Sequence, residues 1–182
     1  MSAHPATRRL VLRPLMLGDK RPFVTLLNDY DVAKNLGRVA HPYSDALFRE
    51  FLTITHRQWE DGVGYTLAVT RALDGAFIGL CGVNRREDGA WELGYWFGKP
   101  YWRQGYATEA AKAVSRCAFD RLGAERLTSG WFFDNPASGH VLEKLGFQAT
   151  GTEEVNCVSR AAPVLSNRVE LTRADFLRKR AA

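Results

Sequence analysis

The sequence predicts a single domain of the α/β (α+β) class, in which helices flank a mixed, twisted sheet of about seven strands. Three observations favour this fold. Short segments of alternating apolar residues recur along the chain, three of them follow one another with only tight turns between, and helical segments separate strands in the second half. No linker or composition shift interrupts residues 1–182, so we expect one domain over the whole chain.

The first 64 residues combine one strand with helices. The predicted elements are a strand over residues 8–13 ended by Pro14, a helix capped by Asp19 with Pro22 in its first turn, a short helical turn from Asp31, and a helix from Ser44 or Asp45 that ends at Gly62 and Gly64. The apolar face of the last helix is predicted to be Leu47, Phe51, Ile54 (or Leu52, Thr55) and Trp59.

The remaining segments change to a period of two, with helices inserted later. The predicted strands are residues 65–70, 77–83, 91–97, 126–133, 147–156 and 164–171. A long helix is predicted after Gly105, with a face of small alanines that lets it lie close against the sheet, and a second helix over 136–145. Asp74-Gly75 and Asp88-Gly89 have the composition of tight turns, so the first three of these strands are expected to form an antiparallel meander.

Composition excludes several classes of protein. With 46% hydrophobic and 25% charged residues, the 182-residue chain is typical of a globular domain and not of a disordered one. The net charge of +5 suits an anionic ligand, but no long block of basic residues predicts nucleic-acid binding. Three scattered cysteines without a CxxC motif indicate no disulfide framework and no metal site. No apolar stretch reaches the ~20 residues of a membrane span, and a cytoplasmic protein is expected.

The segment from Trp91 to Ala118 carries the first functional signal, because a glycine loop opens a helix directly after a strand. Backbone N–H groups and the helix dipole make such a helix start an anion site. Arg103 adds a positive charge and Thr108 a hydroxyl group. A P-loop is excluded, because the glycines of GYWFGK (residues 94–99) are one residue too close and Pro100 replaces the magnesium-binding Ser or Thr. The dinucleotide motif GxGxxG is absent from this segment.

Two motifs together resemble the GNAT family of N-acetyltransferases. Residues 102–107 (WRQGYA) resemble its pyrophosphate loop, Q/R-x-x-G-x-G/A, with Trp102 in the first position. Residues 135–138 (NPAS) followed by VLEKLGF resemble its later strand, helix and Gly-Phe closure. The opening TRRLVLRP and the text GYATEA are similar to the RimJ/RimL branch, which acetylates protein N-terminal amines. The likeness covers about residues 7–173, and it implies the GNAT fold with acetyl-CoA as co-substrate.

The resemblance implies where acetyl-CoA would bind. The main chain of a splayed strand end would pair with pantetheine and polarise the thioester carbonyl, which is oxyanion-type stabilisation. The residues implied there are Trp96, Phe97 and Gly98, and those implied around the pyrophosphate are Arg103, Gln104, Gly105, Tyr106, Ala107 and Thr108. Asn135 would hydrogen-bond the pantetheine arm, although an Asn-Pro pair is also a sufficient helix start.

Two residues are candidates for the chemistry. Glu92, on a strand, would take the proton that the acceptor ammonium must lose, either directly or through water. The alternative is an exposed strand carboxylate without a catalytic role. Ser138 would donate a hydrogen bond or proton to the sulfur, or it is an ordinary first-turn serine. Leu142 occupies the position at which many relatives carry a tyrosine that protonates the thiolate, so the acid must come from elsewhere or from solvent.

The expected reaction is direct acetyl transfer from acetyl-CoA to a primary amine in a ternary complex, with a protein N-terminus as the expected acceptor. Two alternatives stay open, namely a small amine or aminoglycoside as acceptor, and a non-catalytic acyl-CoA-binding module. The segment from Phe23 to Trp59 is expected to cover the acceptor cleft. His56, His140 and the cysteines match no catalytic motif, so an acyl-cysteine route is not expected. Neither a nucleic-acid nor a membrane partner is expected, and a homodimer stays open.

Overall fold

A computed structural model of the chain describes residue 5 and residues 7–181, with side chains to residue 179. Its strands are β1 (Leu10–Pro14), β2 (Gly64–Arg71), β3 (Phe77–Arg85), β4 (Trp91–Phe97), β5 (Arg126–Phe132), β6 (Gln148–Cys157) and β7 (Ala162–Thr172). Within the described residues they form one seven-stranded sheet of order β1-β2-β3-β4-β5-β7-β6. The prediction of a mixed sheet of about seven strands is therefore confirmed.

The sheet is antiparallel except at its centre. The pair β4 and β5 is parallel, and its ladder contains only Trp91 opposite Leu127 and Glu92 opposite Thr128. Both strands continue well beyond these pairs, to Phe97 and Phe132 respectively. The two central strands therefore separate after their first residues and leave a gap in the sheet.

Helices cover both faces of the sheet. They are α1 (Lys20–Leu27), α2 (Tyr30–Ala33), α3 (Asp45–Glu60), α4 (Tyr106–Arg121), α5 (Pro136–Leu145) and α6 (Arg173–Ala181), and short 3-10 turns lie at 17–19, 99–101 and 158–160. The C-terminal helix α6 was not predicted from the sequence. Its Phe176 is 7% exposed and stacks on Phe119, with 4.6 Å between the ring centroids. No helix in residues 7–181 is long and apolar enough to cross a membrane.

The alternation of β4 divides its side chains between two cores. Leu93 and Phe97 face α4 and α5, where Ala110 and Ala111 are completely buried. Small side chains let α4 lie close to the sheet, as the sequence predicted for this helix. Trp96 points to the other face and packs in the core beneath α1–α3. Side chains of β4 can therefore reach either face of the sheet beside the gap.

Asp19 does not cap α1 as predicted. Its side chain makes no cap hydrogen bond. Instead its two carboxylate oxygens accept hydrogen bonds from Arg13, at 2.7 Å each, and one also accepts from the Met16 N–H at 2.9 Å. The carboxylate is 5% exposed, and a buried carboxylate is stable when it is paired in this way. The capping prediction was wrong because the competing partner lies on β1.

The start of α3 is as predicted, but its buried face is shifted. Ser44 caps the helix, since its Oγ accepts from the Leu47 N–H at 3.2 Å. Phe48, which was not predicted, and Thr55, which was the alternative to Ile54, are the buried residues of this helix, whereas Ile54 is 46% exposed. Neighbouring helical positions lie ~100° apart, so an error of one residue moves the predicted stripe to the side of the helix. The turn expected from Asp31 begins at Tyr30, with Asp29 as its cap.

Candidate active site

The gap between β4 and β5 is the centre of the candidate site. Its closed end is marked by Ser129, whose hydroxyl donates to the Leu93 carbonyl at 2.9 Å. Further along, the Gly98 N–H donates to Ile78 on β3 at 3.0 Å. Because hydrogen-bonded pairs alternate in an antiparallel ladder, the even-numbered residues of β4 bond to β3. The main-chain groups of Tyr95 are therefore turned toward the gap.

Three residues at the end of β4 were expected to bind pantetheine through their main chain. The Phe97 carbonyl accepts from the Trp102 indole Nε1 at 2.7 Å, and the Gly98 N–H is bonded within the sheet. Trp96 is half-buried and packs edge-on against Phe23, with 5.1 Å between the ring centroids. The expectation that the Gly98 N–H faces the gap is thus corrected. Tyr95, which the motif comparison did not single out, and Phe97, which it did, turn their main-chain groups toward the gap.

The loop that starts α4 has the geometry expected of an anion site. Gly105 is the N-cap residue and lies in the left-handed region, with φ 78° and ψ 3°. Arg103 also has a positive φ of 60°. The N–H groups of the first helical turn, residues 106–108, have no partner within their own helix, as at every helix start. Arg103, Gln104 and Gly105 are exposed, so these N–H groups and the helix dipole are accessible to an anion.

A second arginine beside this loop was not identified from the sequence. Arg9 donates from Nη1 to the Gln104 carbonyl at 3.0 Å and from Nε to Glu109 at 2.6 Å. Its guanidinium also lies over the ring of Tyr106, 4.7 Å from the centroid. Arg9 is about 100 residues away in sequence, so no local pattern could have revealed it. Arg9 therefore fixes the loop, while Glu109 pairs with its charge.

The first turn of α5 lies against both strands of the gap. Tyr95 on β4 donates from its hydroxyl to the Ser138 carbonyl at 2.9 Å, and the two hydroxyl oxygens are 3.0 Å apart. On the β5 side, a Cβ on Gly139 would meet the Trp131 ring at 2.7 Å, so only glycine permits this close approach. Among the described residues, the Asn135 side chain makes no cap hydrogen bond although it occupies the N-cap position.

Glu92 lies on the opposite face of β4 and is held by two arginines. Arg86 donates from Nη1 to Glu92 Oε2, and Arg168 donates from Nη2 to Glu92 Oε1, both at 3.0 Å. Glu92 is therefore not a lone exposed carboxylate. A carboxylate has about four acceptor positions, so each oxygen can still accept a hydrogen bond from an ammonium group or from water.

Two buried polar atoms flank Glu92 in the sheet. Asn84 is opposite it on β3, and Thr128 is opposite it on β5. Within the part of the chain that the structure describes, Asn84 Oδ1 and Thr128 Oγ1 have no hydrogen-bond partner. Buried polar atoms are normally satisfied, and unpaired ones are often found at functional sites. Asn84, Glu92 and Thr128 therefore form a polar row across three strands, as in a binding site.

The remaining residues considered in the sequence analysis lie in surroundings that explain them without a catalytic role. Burial raises the pKa of the Cys81 thiol, which makes it a poor nucleophile. His56 Nε2 is 2.8 Å from the Leu15 carbonyl, and Leu142 is fully buried in the core. No group of three or more His, Cys, Asp or Glu residues in the described parts of the chain is arranged to hold a metal ion.

The fold and the match to a family model together identify an acetyltransferase. A parallel pair of central strands separates beside a helix that starts at a glycine loop, with a hydroxyl group and a carboxylate on opposite faces of the same strand. The family model described as "Acetyltransferase (GNAT) domain" matches residues 9–148. The chain belongs to this GNAT family of acetyltransferases, whose general reaction is acetyl transfer from acetyl-CoA.

Similar proteins agree with this assignment. The uncharacterized N-acetyltransferase p20 of Bacillus licheniformis is 27% identical over 148 residues, which are 80% of this chain and 82% of that protein. The structure of ribosomal-protein-S5-alanine acetyltransferase from Vibrio fischeri has a TM-score of 0.80 at 16% identity, covering 94% of this chain and 97% of its own. Spermidine N-acetyltransferase from Vibrio cholerae, in complex with CoA and spermine, has a TM-score of 0.79 at 19% identity, with coverages of 94% and 99%. The two structures share the fold, although the enzymes are named for different acceptors.

Proposed function

We propose that this protein transfers the acetyl group of acetyl-CoA to the N-terminal amine of a protein, with both substrates bound together in the β4–β5 gap. The observation that carries the proposal is the placement of Ser138 and Glu92. Glu92 lies in the last parallel pair at the closed end of the gap, and Ser138 lies beside Tyr95 on the opposite face of the sheet, so a thioester on one side and an amine on the other would meet between them. Binding two reactants in this way accelerates their reaction by proximity.

The residues present fit acetyl-CoA, which supplies the acetyl group as a reactive thioester. Its pyrophosphate matches the N–H groups of residues 106–108, with Arg103 providing positive charge and Arg9 holding the loop. The Asn135 amide, which makes no cap hydrogen bond, is available to the pantetheine arm. The main chain of Tyr95 faces the gap in which that arm would lie. Trp96 and Phe97 form the strand end beside it.

Glu92 and Ser138 then have distinct roles in the proposal. Glu92 accepts the proton of the acceptor ammonium, directly or through water, while the two arginines keep its carboxylate in place. Ser138 donates a hydrogen bond to the sulfur as negative charge develops on it. No acyl-enzyme is required, in agreement with the buried, unreactive Cys81.

Charge pairing on the acceptor side favours a single amine over a polycation. Glu92 is paired with Arg86 and Arg168, and Glu170 is paired with Arg126 at 2.9 Å. A polyamine or aminoglycoside requires several carboxylates whose charge is not already compensated, because buried or partly buried charges must be paired. Both of these carboxylates are compensated, and the whole chain carries a net charge of +5.

A thiol-release assay with matched acceptors tests the proposal. The acceptors compared are a lysine-free peptide with a free N-terminus, the same peptide acetylated at its N-terminus, spermidine and an aminoglycoside. We expect CoA release only with the free peptide. CoA release with only spermidine or only the aminoglycoside would show that the acceptor is a small amine and not a protein N-terminus. CoA binding without release from any acceptor would favour the non-catalytic module.

A further inference from the structure

The pair formed by Tyr95 and Ser138 has a property that neither residue has alone. The phenol has one proton, which it donates to the Ser138 carbonyl, so the 3.0 Å contact between the hydroxyl oxygens is made by the Ser138 proton. Once the Ser138 hydroxyl turns to another acceptor, its oxygen can accept the phenol proton instead. Tyr95 can therefore accept a hydrogen bond from the Ser138 hydroxyl, or donate one to it when the Ser138 proton points to another acceptor.

The surroundings keep the phenol neutral. Burial raises the pKa of Tyr95 well above its ordinary value, because the charged phenolate would be poorly solvated. The titratable neighbour on β3 is Cys81, which lies opposite Tyr95 and is buried as a thiol. On α5, His140 is exposed to solvent and Ser138 makes the contact. Tyr95 therefore acts as a hydrogen-bond donor and retains its proton.

We infer that Tyr95 is a positioning residue for the leaving sulfur. It orients the Ser138 hydroxyl toward the sulfur and, by donating to Ser138 Oγ, strengthens the hydrogen bond that Ser138 gives to the thiolate. When the carbon–sulfur bond breaks, both electrons stay on sulfur, and no proton leaves Tyr95. A chain of hydrogen bonds in which each polarises the next is stronger than its separate members.

This arrangement replaces the tyrosine that is missing at Leu142. Leu142 is fully buried and has no polar atom to offer. A phenol instead reaches the first turn of α5 from the neighbouring strand, 43 residues earlier in the chain. The inference rests on the proposed function, because it requires the sulfur to lie beside Ser138.

Binding of CoA and of desulfo-CoA, which lacks the thiol, tests the inference without an identified acceptor. Calorimetry gives the affinity ratio of the two at pH 7 and at pH 9, on either side of the ordinary thiol pKa of about 8.5. We expect the wild-type preference for CoA to increase with pH, because the bound thiolate is stabilised. Ser138→Ala should reduce the preference at pH 9 about tenfold, since hydrogen bonds to charged groups are strong. Tyr95→Phe should reduce it about fivefold.

The double variant and a matched control complete the test. Tyr95→Phe combined with Ser138→Ala should match Ser138→Ala alone, because the phenol acts only through the serine. Tyr65→Phe removes a hydroxyl from β2, where the ring packs on Trp59 and Trp91, and should leave the preference unchanged. A general loss of structure would weaken both ligands equally and would not move their ratio.

The two ways of failing are distinguishable. An unchanged preference in Ser138→Ala would show that the sulfur is not beside Ser138, and the proposed role of that residue would fail. A reduced preference in Ser138→Ala with no change in Tyr95→Phe would overturn the positioning role alone. Additive losses in the double variant would also overturn it.

Discussion

Arg168 on β7 reaches across β5 to donate a hydrogen bond to Glu92 on β4 at 3.0 Å. It passes over Gly130, where a Cβ would meet the Arg168 guanidinium at 2.8 Å. A glycine in the middle strand therefore permits the contact between its neighbours. The carboxylate proposed as base is held from β7 by Arg168 and from the β3–β4 turn by Arg86.

Removing this contact should impair catalysis more than stability. Arg168→Met should lower kcat/KM about tenfold, because Glu92 loses one of its two positioning donors. The free energy of unfolding should fall by less than about 1 kcal/mol, since the pair is partly exposed to solvent. Arg126→Met is the control, because Arg126 pairs with Glu170 on the neighbouring part of the sheet. Equal losses of activity in both variants would contradict a specific role of Arg168.

Glu92→Gln should lower kcat/KM about a hundredfold without changing the affinity for CoA. The loss should be greatest at low pH, because an N-terminal amine with an ordinary pKa near 8 is then mostly protonated and depends most on a base. Steady-state rates from pH 6 to pH 9 and CoA calorimetry measure the two effects. Glu153→Gln is the control, since Glu153 is half-exposed and lies 3.5 Å from Arg168. An unchanged pH profile would mean that the base is another group.

Gly105→Val should abolish measurable CoA binding in calorimetry. A β-branched residue is strained at φ 78°, and its side chain would crowd Arg9 and the N–H groups of the loop. Gly123→Val is a matched control, because Gly123 lies just beyond the other end of α4 with φ 65° and open space around it. Both variants should lose about 1–2 kcal/mol of stability. Wild-type affinity in Gly105→Val would refute the loop assignment.

Asn135→Ala should separate ligand binding from helix capping. A capping Asn contributes ~1 kcal/mol, but the Asn135 side chain makes no cap hydrogen bond. We therefore expect the free energy of unfolding to change by less than about 0.5 kcal/mol. The affinity for CoA should fall about tenfold through the lost amide hydrogen bond. Ser44→Ala, which removes the observed cap of α3, should show the reverse pattern.

Asp31 is expected to make the stability of the fold fall at low pH. Hydrogen bonds from Lys34 and Lys99, at 2.6 Å each, lower the pKa of Asp31 to about 2. A lowered pKa means that these ion pairs stabilise the fold above the ordinary pKa of 3.8 and are lost as the pH falls through about 2. Asp31→Asn should therefore lose less stability than the wild type between pH 4 and pH 2. Thermal unfolding at each pH measures the loss of stability, and Asp61→Asn, at an exposed carboxylate, is the control. Identical acid sensitivity of Asp31→Asn and the wild type would contradict the prediction.

Local patterns predicted most of the fold. Alternation of apolar residues identified the seven strands, and the alanine face of α4 and the caps at Ser44 and Gly105 are short-range features. Such features depend on neighbours within about four residues, so they can be read from the sequence. The helix α6 was missed, because its sequence RADFLRKRA contains few apolar residues and its fold depends on Phe176 meeting Phe119.

The sequence by itself determined the family, the seven strands and the glycine loop at Gly105 that starts α4. Only the tertiary structure decided how the side chains of the site are held. Arg9 meets the loop, Tyr95 meets Ser138, and Arg168 meets Glu92 across 95, 43 and 76 positions respectively. Propensity and periodicity carry no information at such separations, because these contacts form only when the sheet brings distant strands side by side. For that reason the sequence offered Glu92 as a candidate base but did not reveal the two arginines that hold it.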